Sequence, residues 1–427
     1  MPVSEPSFAL SPDMRVILNA LINKLERRSV RQPEPAGEMR SPRTTKVTLE
    51  ELDLPGYFSQ VDPEPRQVSN EQFQWLENAG MLRLVWQPGE KGHLVESVAL
   101  VSGTEAPIYA LLGRIPTINL RARLEGQLLG DRFRFGEPGW QHRAIQHLLT
   151  QIKENKSPAP FTLNDPVFNE DLLTALIALS GVEEETPFRM FSVRTFNDSK
   201  RFKDLEKAVV RLARFGNQAW KRLPENELLR ELNLVPNPSY LLLSGPWTLV
   251  DSSGQVLSLG EFSPSVGIPS IQAMHLDRAT VHANQVLCIE NLTSFHTCAA
   301  SLANEPLSRN TALICLAGNP SPACRRLLKC LSSALPEAIP PYVWADMDYG
   351  GFNILSQLRR EVNTRFLPYN MNIDTLDHFK QFARPLTVSD RRNLERQANR
   401  VELSDVRPVI IEMLKRGLKL EQEAITV

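Results

Sequence analysis

Two acidic segments some fifty residues apart carry the chemistry of this 427-residue chain: Val286-Leu-Cys-Ile-Glu290-Asn291 and Tyr342-Val-Trp-Ala-Asp346-Met-Asp348-Tyr-Gly-Gly351. In each, an apolar run that reads as a buried strand stops at carboxylates. Unpaired buried charge is costly, so such a strand ends on acids where they face a ligand or a cation. Asp346 and Asp348 stand two positions apart, which on an extended strand end turns both side chains to one side. Three carboxylates with no His or Cys ligand set nearby favour a hard cation, Mg²⁺ or Mn²⁺, over zinc. Glu290, Asp346 and Asp348 are therefore the candidate metal ligands.

The elements that must position them are also legible. A third apolar run, Thr311-Ala-Leu-Ile-Cys-Leu316, lies between the two segments, followed by Ala317-Gly-Asn-Pro320 and a predicted helix from about Ser321 to Leu335. Strand, helix, strand, helix, strand is the pattern of a parallel sheet with right-handed crossovers. The carboxyl ends of such strands share one edge, so acids distant in sequence can converge there. Gly350 and Gly351 are expected to let the chain turn tightly into a helix from about Phe352 to Val362. The amide of Asn291 is placed to orient Glu290 or to touch a phosphate. His296, a lone histidine at a helix start, reads as structural.

At these residues a resemblance emerges. A Glu on one strand and Asp-x-Asp on another is similar to the Toprim pattern of topoisomerases, primases and some nucleases. Ile289-Glu-Asn-Leu-Thr-Ser-Phe295 and Ala345-Asp-Met-Asp-Tyr-Gly-Gly-Phe-Asn-Ile-Leu355 resemble the subunit-D (JetD) family of the Wadjet plasmid-defence system, which is related to the topoisomerase VI A subunit. Phe191-Ser-Val-Arg-Thr-Phe-Asn-Asp-Ser-Lys200 and Leu420-Glu-Gln-Glu423 resemble the same family. The resemblance runs from about Phe188 to the C-terminus and is only general in the first hundred residues. Ala345 departs from it where the family is expected to carry Gly, a small-for-small exchange.

The resemblance implies an α/β Toprim domain, Rossmann-like, preceded by α+β winged-helix-like domains. It implies a homodimeric, Mg²⁺- or Mn²⁺-dependent endonuclease that cuts closed circular double-stranded DNA beside an SMC-like ATPase complex with kleisin and kite-type subunits. Glu290, Asp346 and Asp348 would be catalytic, with Asn291 and Gly351 in support. Glu421 and Glu423 are expected on an amphipathic C-terminal helix, either completing the metal shell or standing as helix-surface acids. In the topoisomerase VI relatives a winged helix carries a nucleophilic tyrosine. None of the six tyrosines here, Tyr57, Tyr109, Tyr240, Tyr342, Tyr349 and Tyr369, falls in the corresponding unit, which points to hydrolysis rather than strand passage. Two alternatives stay open: a DNA-binding scaffold with a structural ion, and a topoisomerase VI A-like strand-cleaving protein.

Composition sets the frame for these expectations. With 48 Lys and Arg against 49 Asp and Glu, the formal charge is −1, so any DNA surface must be local. Residues 188–222 hold ten basic residues against three acidic ones. Within this stretch Lys200, Lys203, Lys207, Arg211 and Arg214 recur at helical spacing, with Arg201 beside them. Phe202, Leu205, Val209 and Leu212 form a parallel buried stripe. A basic stripe on a packed helix suits a phosphate backbone, although a solvated lysine face has the same pattern. Arg359, Arg360, Arg384, Arg391, Arg392, Arg396 and Arg400 carry the same two readings.

Near the N-terminus, helices at about Ser11–Arg28 and Asn70–Asn78 precede two strands flanking Gln87-Pro-Gly-Glu-Lys-Gly92. This winged-helix outline serves either a partner or DNA, and the supposed recognition segment carries Glu71 and Glu77 with no basic residue. The expected domains are 1–105, winged-helix-like; 106–160, a connecting segment and linker; 161–238, a helical DNA-binding domain; and 239–427, Toprim. No apolar run is long enough to span a bilayer and no signal-peptide pattern opens the chain, so a cytoplasmic protein is expected. The five cysteines, Cys288, Cys298, Cys315, Cys324 and Cys330, read as reduced core thiols.

Overall fold

The computed structural model describes residues 9–31, 44–131, 139–303 and 310–425. The Pro-rich linker at 32–37 lies outside them. The chain packs as two compact units, Met1–Gly136 with Ile145–Asn169, and Glu137–Ala144 with Glu170–Val427. Among the described residues, no helix is long and apolar enough to cross a membrane.

In the first unit, helix α1 (Pro12–Arg31) precedes strand β1 (Thr45–Thr48), helix α2 (Glu64–Asn78) and the hairpin strands β2 (Leu82–Trp86) and β3 (Val95–Leu100). The three strands form an antiparallel sheet in the order β1-β3-β2. Met14, Ile17, Leu18, Leu21 and Ile22 recur at helical spacing on α1 and are fully buried in the same core as Phe73, Leu76 and Val98. The buried Tyr57 hydroxyl donates to Asn70 Oδ1 at 2.9 Å and accepts from the Val95 amide at 2.9 Å. Asn70 in turn donates to the Gly92 and His93 carbonyls, which fixes the hairpin loop to α2.

Helix α2 begins six residues earlier than the sequence suggests, because a proline in its first turn presets the helical φ. Strand β1, four residues long, was not foreseen. The stretch read as a connecting segment carries helices α3 (Glu105–Leu112), α4 (Thr117–Asp131) and α5 (Trp140–Lys153). Helix α6 (Pro166–Leu179) follows.

The second unit opens with β4 (Thr186–Pro187), α7 (Phe188–Phe196), α8 (Arg201–Gly216), α9 (Glu225–Glu231) and β5 (Leu234–Val235). The stripe Phe202, Leu205, Val209 and Leu212 of α8 is buried, and its opposite side exposes Lys203, Lys207 and Arg211. Next come β6 (Tyr240–Ser244), β7 (Trp247–Asp251), β8 (Val256–Ser258), β9 (Val266–Pro269), α10 (Ser270–Met274) and β10 (Leu276–Val281). The alternating strands and helices that follow are β11 (Gln285–Ile289), α11 (Leu292–Ala303), β12 (Thr311–Cys315), α12 (Pro322–Ala334), β13 (Pro341–Trp344), α13 (Tyr349–Glu361) and β14 (Leu367–Pro368). The chain closes with α14 (Ile373–His378), β15 (Arg384–Pro385), α15 (Val388–Gln397), α16 (Arg407–Arg416) and β16 (Leu418–Lys419).

Six strands form the central sheet in the order β14-β13-β11-β12-β6-β9. Strands β12, β11, β13 and β14 are mutually parallel, and β6 and β9 add antiparallel pairs at the other side. Val286 to Ile289 and Ala312 to Cys315 are buried along their whole length, as strands covered on both faces must be. From β11 the chain leaves toward β12, while from the adjacent β13 it leaves the opposite way toward β14. That divergence opens a crevice at the carboxyl ends of β11 and β13, the place where open α/β sheets bind ligands. All five cysteines are buried and free.

Two contacts behind the sheet have measurable consequences. Arg359, 8 % exposed, donates to the Phe366 carbonyl at 2.8 Å and the Glu402 carbonyl at 2.6 Å, and pairs with Asp405 at 2.6 Å. It is therefore a structural cation and not a DNA contact. Its hydrogen bond holds the Asp405 carboxyl below the usual carboxylate range. Arg359→Ala strands two carbonyls and should cost about 2–4 kcal/mol, read as a lower midpoint in urea. Because the folded pKa of Asp405 is depressed, its contribution is full above pH about 4 and fades as pH falls through the folded value.

The second contact corrects the expected role of the glycine pair. Helix α13 already begins at Tyr349 with Asp348 as its cap, so Gly350 and Gly351 lie inside the first turn. A Cβ on Gly351 would sit 2.0 Å from the Asp346 carbonyl oxygen, a backbone atom, whereas one on Gly350 would meet the Asp348 carboxylate at 3.1 Å. Gly351 is thus required for close approach rather than for turning. Gly351→Ala should destabilise by about 1–3 kcal/mol in thermal unfolding, with Gly350→Ala clearly milder.

Candidate active site

Glu290 follows β11 and Asp346 and Asp348 follow β13, so the three acids meet at the crevice between these strands. The Glu290 amide donates to the Trp344 carbonyl at 2.9 Å, carrying the strand pairing one residue past β11. The Asp346 amide then donates to Glu290 Oε2 at 3.0 Å. Asp346 Oδ1 accepts from the Gln422 amide at 2.7 Å, and Asp348 Oδ1 caps α13 by accepting from the Gly351 amide at 3.0 Å. Each carboxylate thus receives one main-chain N–H. Among the described residues, no hydrogen bond reaches the second oxygen of any of the three.

Burial and crowding dominate the electrostatics. Burial, then the Asp346 charge, push the Glu290 carboxyl up to about 8, with Asp348 and Glu227 adding to the repulsion. Asp346 is pushed up to about 6 by burial first, with Asp348, Glu423 and Glu421 as the like charges around it. Carboxylates that repel one another in a partly dry crevice gain most from a cation.

Among the described residues, no three His, Cys, Asp or Glu side chains form a ready-made metal cage. The donor set still fits Mg²⁺ or Mn²⁺. Mg²⁺ keeps several waters and is commonly held by one or two carboxylates, with substrate phosphate filling the shell. The outward oxygens of Glu290, Asp346 and Asp348 are the groups that would hold it.

The far C-terminus reaches this crevice, though not as a helix. Helix α16 stops at Arg416, where Gly417 takes a left-handed cap at φ 70°. The chain then runs extended, and Leu420 pairs with Met347 in an isolated antiparallel bridge. Glu421 and Glu423 follow on a short strap beside Asp346. Glu421 pairs with Arg384, and Glu423 accepts from the Asn291 side-chain amide. Asn291 Oδ1 also caps α11 by accepting from the Thr293 amide at 2.7 Å. His296 is exposed on α11.

The basic candidates divide into exposed and committed groups. Lys200, Lys203, Lys207 and Arg211 are exposed, with the Arg211 guanidinium lying 5.6 Å from the Phe215 ring centre. Arg201 is bound to Asp171 at 2.7 Å, and Arg214 donates to the Leu223 carbonyl at 3.0 Å. In the second basic cluster Arg384, Arg391 and Arg400 hold Glu421, the Leu414 carbonyl and Asn353 respectively, while Arg392 and Arg396 stay exposed.

Sequence reasoning missed three residues at or beside the crevice. Gln422 is fully buried and touches both strand ends. Arg222 stacks 5.8 Å from the ring centre of Tyr349, the neighbour of Asp348, and also donates to Asn393 Oδ1. Glu227 of α9 brings a further charge near Glu290. Only Gln422 had a local signal, an amide between two acids in Leu420-Glu-Gln-Glu423.

The family model "Wadjet protein JetD, C-terminal" matches residues 243–427, the segment that contains the central sheet and the crevice. The chain is also 24% identical over 415 residues to a Wadjet protein JetD of Bacillus cereus strain Q1, covering 96% of this chain and 97% of that protein. The resemblance read from the motifs and these two matches agree on the Wadjet JetD family, whose C-terminal domain residues 243–427 match and to one of whose proteins the chain is similar along nearly its whole length.

Proposed function

We propose that this protein is the metal-dependent DNA endonuclease subunit of a Wadjet-type anti-plasmid system, hydrolysing phosphodiester bonds of closed circular double-stranded DNA. The carrying observation is the meeting of Glu290 and Asp346 at the crevice between β11 and β13, where the Asp346 amide donates to Glu290 Oε2 and burial first of all pushes both carboxyls up. A parallel sheet ending in Glu and Asp-x-Asp in this arrangement is what a Toprim domain would present. A divalent ion bound there would polarise the scissile phosphate and stabilise the leaving 3′ oxygen. Asp346 and Asp348 would hold the ion, and Glu290 would either share it or take the proton of the attacking water.

The exposed basic side of α8 supplies the duplex contact. Lys200, Lys203, Lys207 and Arg211 are the phosphate ligands in this reading, while Arg201 and Arg214 hold the helix in place. The three-stranded sheet of the first unit with α1 and α2 reads as a winged-helix-like module. Its α2 carries the exposed acids Glu71 and Glu77, the latter accepting from the Leu84 amide, and the basic residue in its first turns, Arg66, donates to the Tyr57 and Ser59 carbonyls. That favours a protein partner over DNA for this module. An SMC-like ATPase complex with kleisin and kite-type subunits, a second copy of the chain and a cytoplasmic setting complete the proposal. Two copies related by a two-fold axis would cut both antiparallel strands.

Wild-type protein incubated with supercoiled plasmid and Mn²⁺ or Mg²⁺ should yield linear product. Asp346→Ala should lower cleavage at least 100-fold and leave DNA affinity within a factor of about two, since a metal ligand is worth several kcal/mol to the transition state. If plasmid stays intact alone and with the ATPase complex, the scaffold reading replaces this one. Tyr349→Phe should cleave normally; loss of cleavage together with a protein-linked DNA end in the wild type would point to strand passage instead. Replacing Lys203, Lys207 and Arg211 by Ala should weaken binding to all duplexes alike. The slope of log K against log salt should fall by about one per phosphate contact removed.

A further inference from the structure

Gln422 is one of few fully buried polar side chains of the second unit, and all its hydrogen bonds go to the crevice. Its side-chain Oε1 accepts from the Asn291 amide at 2.9 Å, and its Nε2 donates to the Trp344 carbonyl at 3.3 Å. Its own main-chain amide donates to Asp346 Oδ1 at 2.7 Å. The connections after β11 and β13 part just here, since one leads to β12 and the other to β14 on the opposite side of the pair. The last bond between main-chain groups of the two strands runs from the Glu290 amide to the Trp344 carbonyl. One residue further on, the Gln422 amide group takes the place of the missing strand partner and ties the Asn291 amide back to Trp344. Glu290 lies between these two anchor points, and Asp346 lies under the main-chain amide of the same residue.

The backbone around Gln422 is fixed independently of its side chain. Leu420 exchanges both main-chain bonds with Met347, at 2.8 and 3.3 Å. Glu421 pairs with Arg384, and the Ile425 amide closes a turn onto the Gln422 carbonyl at 3.0 Å. The strap therefore arrives at the crevice pre-formed, and the side chain of Gln422 is free to act on the geometry of the acids.

We infer that Gln422 is a positioning residue of this site: it holds the Glu290 and Asp346 carboxylates at the separation a divalent ion requires, without touching substrate itself. The inference rests on the nuclease reading. Functional constellations lose rate when their support loosens by as little as 1 Å. A carboxylate pair that repels itself spreads apart when the amide between its strand ends is gone. Loss of Gln422 should therefore act on metal use and turnover, and not on DNA affinity.

The test compares wild type, Gln422→Met and Gln422→Glu as full-length chains. The Met variant keeps the volume and the main-chain bond to Asp346 but removes both side-chain bonds. The Glu variant keeps the acceptor for Asn291 and loses the donor to Trp344. Cleavage of supercoiled plasmid is followed against Mn²⁺ concentration, and hydrogen exchange of the 286–294 and 342–352 peptides is followed without metal. The expected result is at least a tenfold lower kcat and a several-fold higher half-saturating Mn²⁺ for the Met variant, with KM for DNA unchanged. Its two peptides should exchange faster, and the Glu variant should fall between.

Wild-type kcat and Mn²⁺ dependence in both variants would overturn the inference. If Gln422→Met loses its cooperative melting transition, the Glu variant is read in its place. Should the wild type itself not cleave, the nuclease reading fails and the exchange measurement decides positioning separately. Faster exchange confined to those peptides supports it, and unchanged exchange overturns it.

Discussion

Two carboxylates that follow adjacent, fully buried parallel strands impose the constraint around which the second unit is built. Burial pushes both carboxyls up, and like charge adds to it, from Asp346 on Glu290 and from Asp348, Glu423 and Glu421 on Asp346. A fold that sought stability alone would replace them with apolar groups of similar size. Their place where the strand connections diverge is what the proposed function explains, since a cation bound there would relieve the repulsion. The sheet contributes rigidity, since the strands beneath the acids are packed on both faces and cannot spread to relieve the repulsion.

The surrounding backbone answers the same constraint by supplying one N–H to each acid. These donors come from three separate places: the strand end itself at Asp346, the first turn of α13 at Gly351, and the C-terminal strap at Gln422. Each donor stabilises one oxygen and fixes which way the other points. The demand for a close amide at Asp348 explains why Gly351 has no room for a side chain against the Asp346 carbonyl. The donor at Asp346 comes from the strap after α16, where Leu420 bridges to Met347 and brings the Gln422 amide to the carboxylate.

What the sequence discloses follows from the range of the interactions. Strands β11, β12 and β13 are legible because strands buried on both faces are continuous apolar runs, and the acids stand out as their abrupt ends. The buried stripe of α8 is legible from its helical spacing. Gln422 is not, because it is fastened to Asn291 and Asp346, which lie 131 and 76 residues away in the chain. The strap carrying Glu421 and Glu423 was read as helix from its apolar spacing, and the left-handed cap at Gly417 ends that helix before they are reached. Arg359 looked like a surface cation until its partners, Phe366, Glu402 and Asp405, folded around it. Strand β1 needs its long-range pairing with β3 to exist at all, and four residues carry no periodicity that reveals it.

Charge on this surface is more selective than the number of basic residues suggests. A duplex approaching three carboxylates is repelled unless cations lie both in the crevice and along its path. Many arginines that could serve are already spent inside the molecule: Arg201 on Asp171, Arg214 on a carbonyl, Arg325 on Glu231 and Glu361, Arg359 on Asp405. The exposed cations of α8 are largely lysines, compact charges on flexible stems that hold a phosphate without demanding one geometry. Arg222 differs, since Tyr349 and Asn393 hold its guanidinium in a set orientation beside Asp348. In the proposed function, sequence-independent capture on α8 and a geometrically strict site between β11 and β13 would divide the work of a nuclease acting on circular DNA of any sequence.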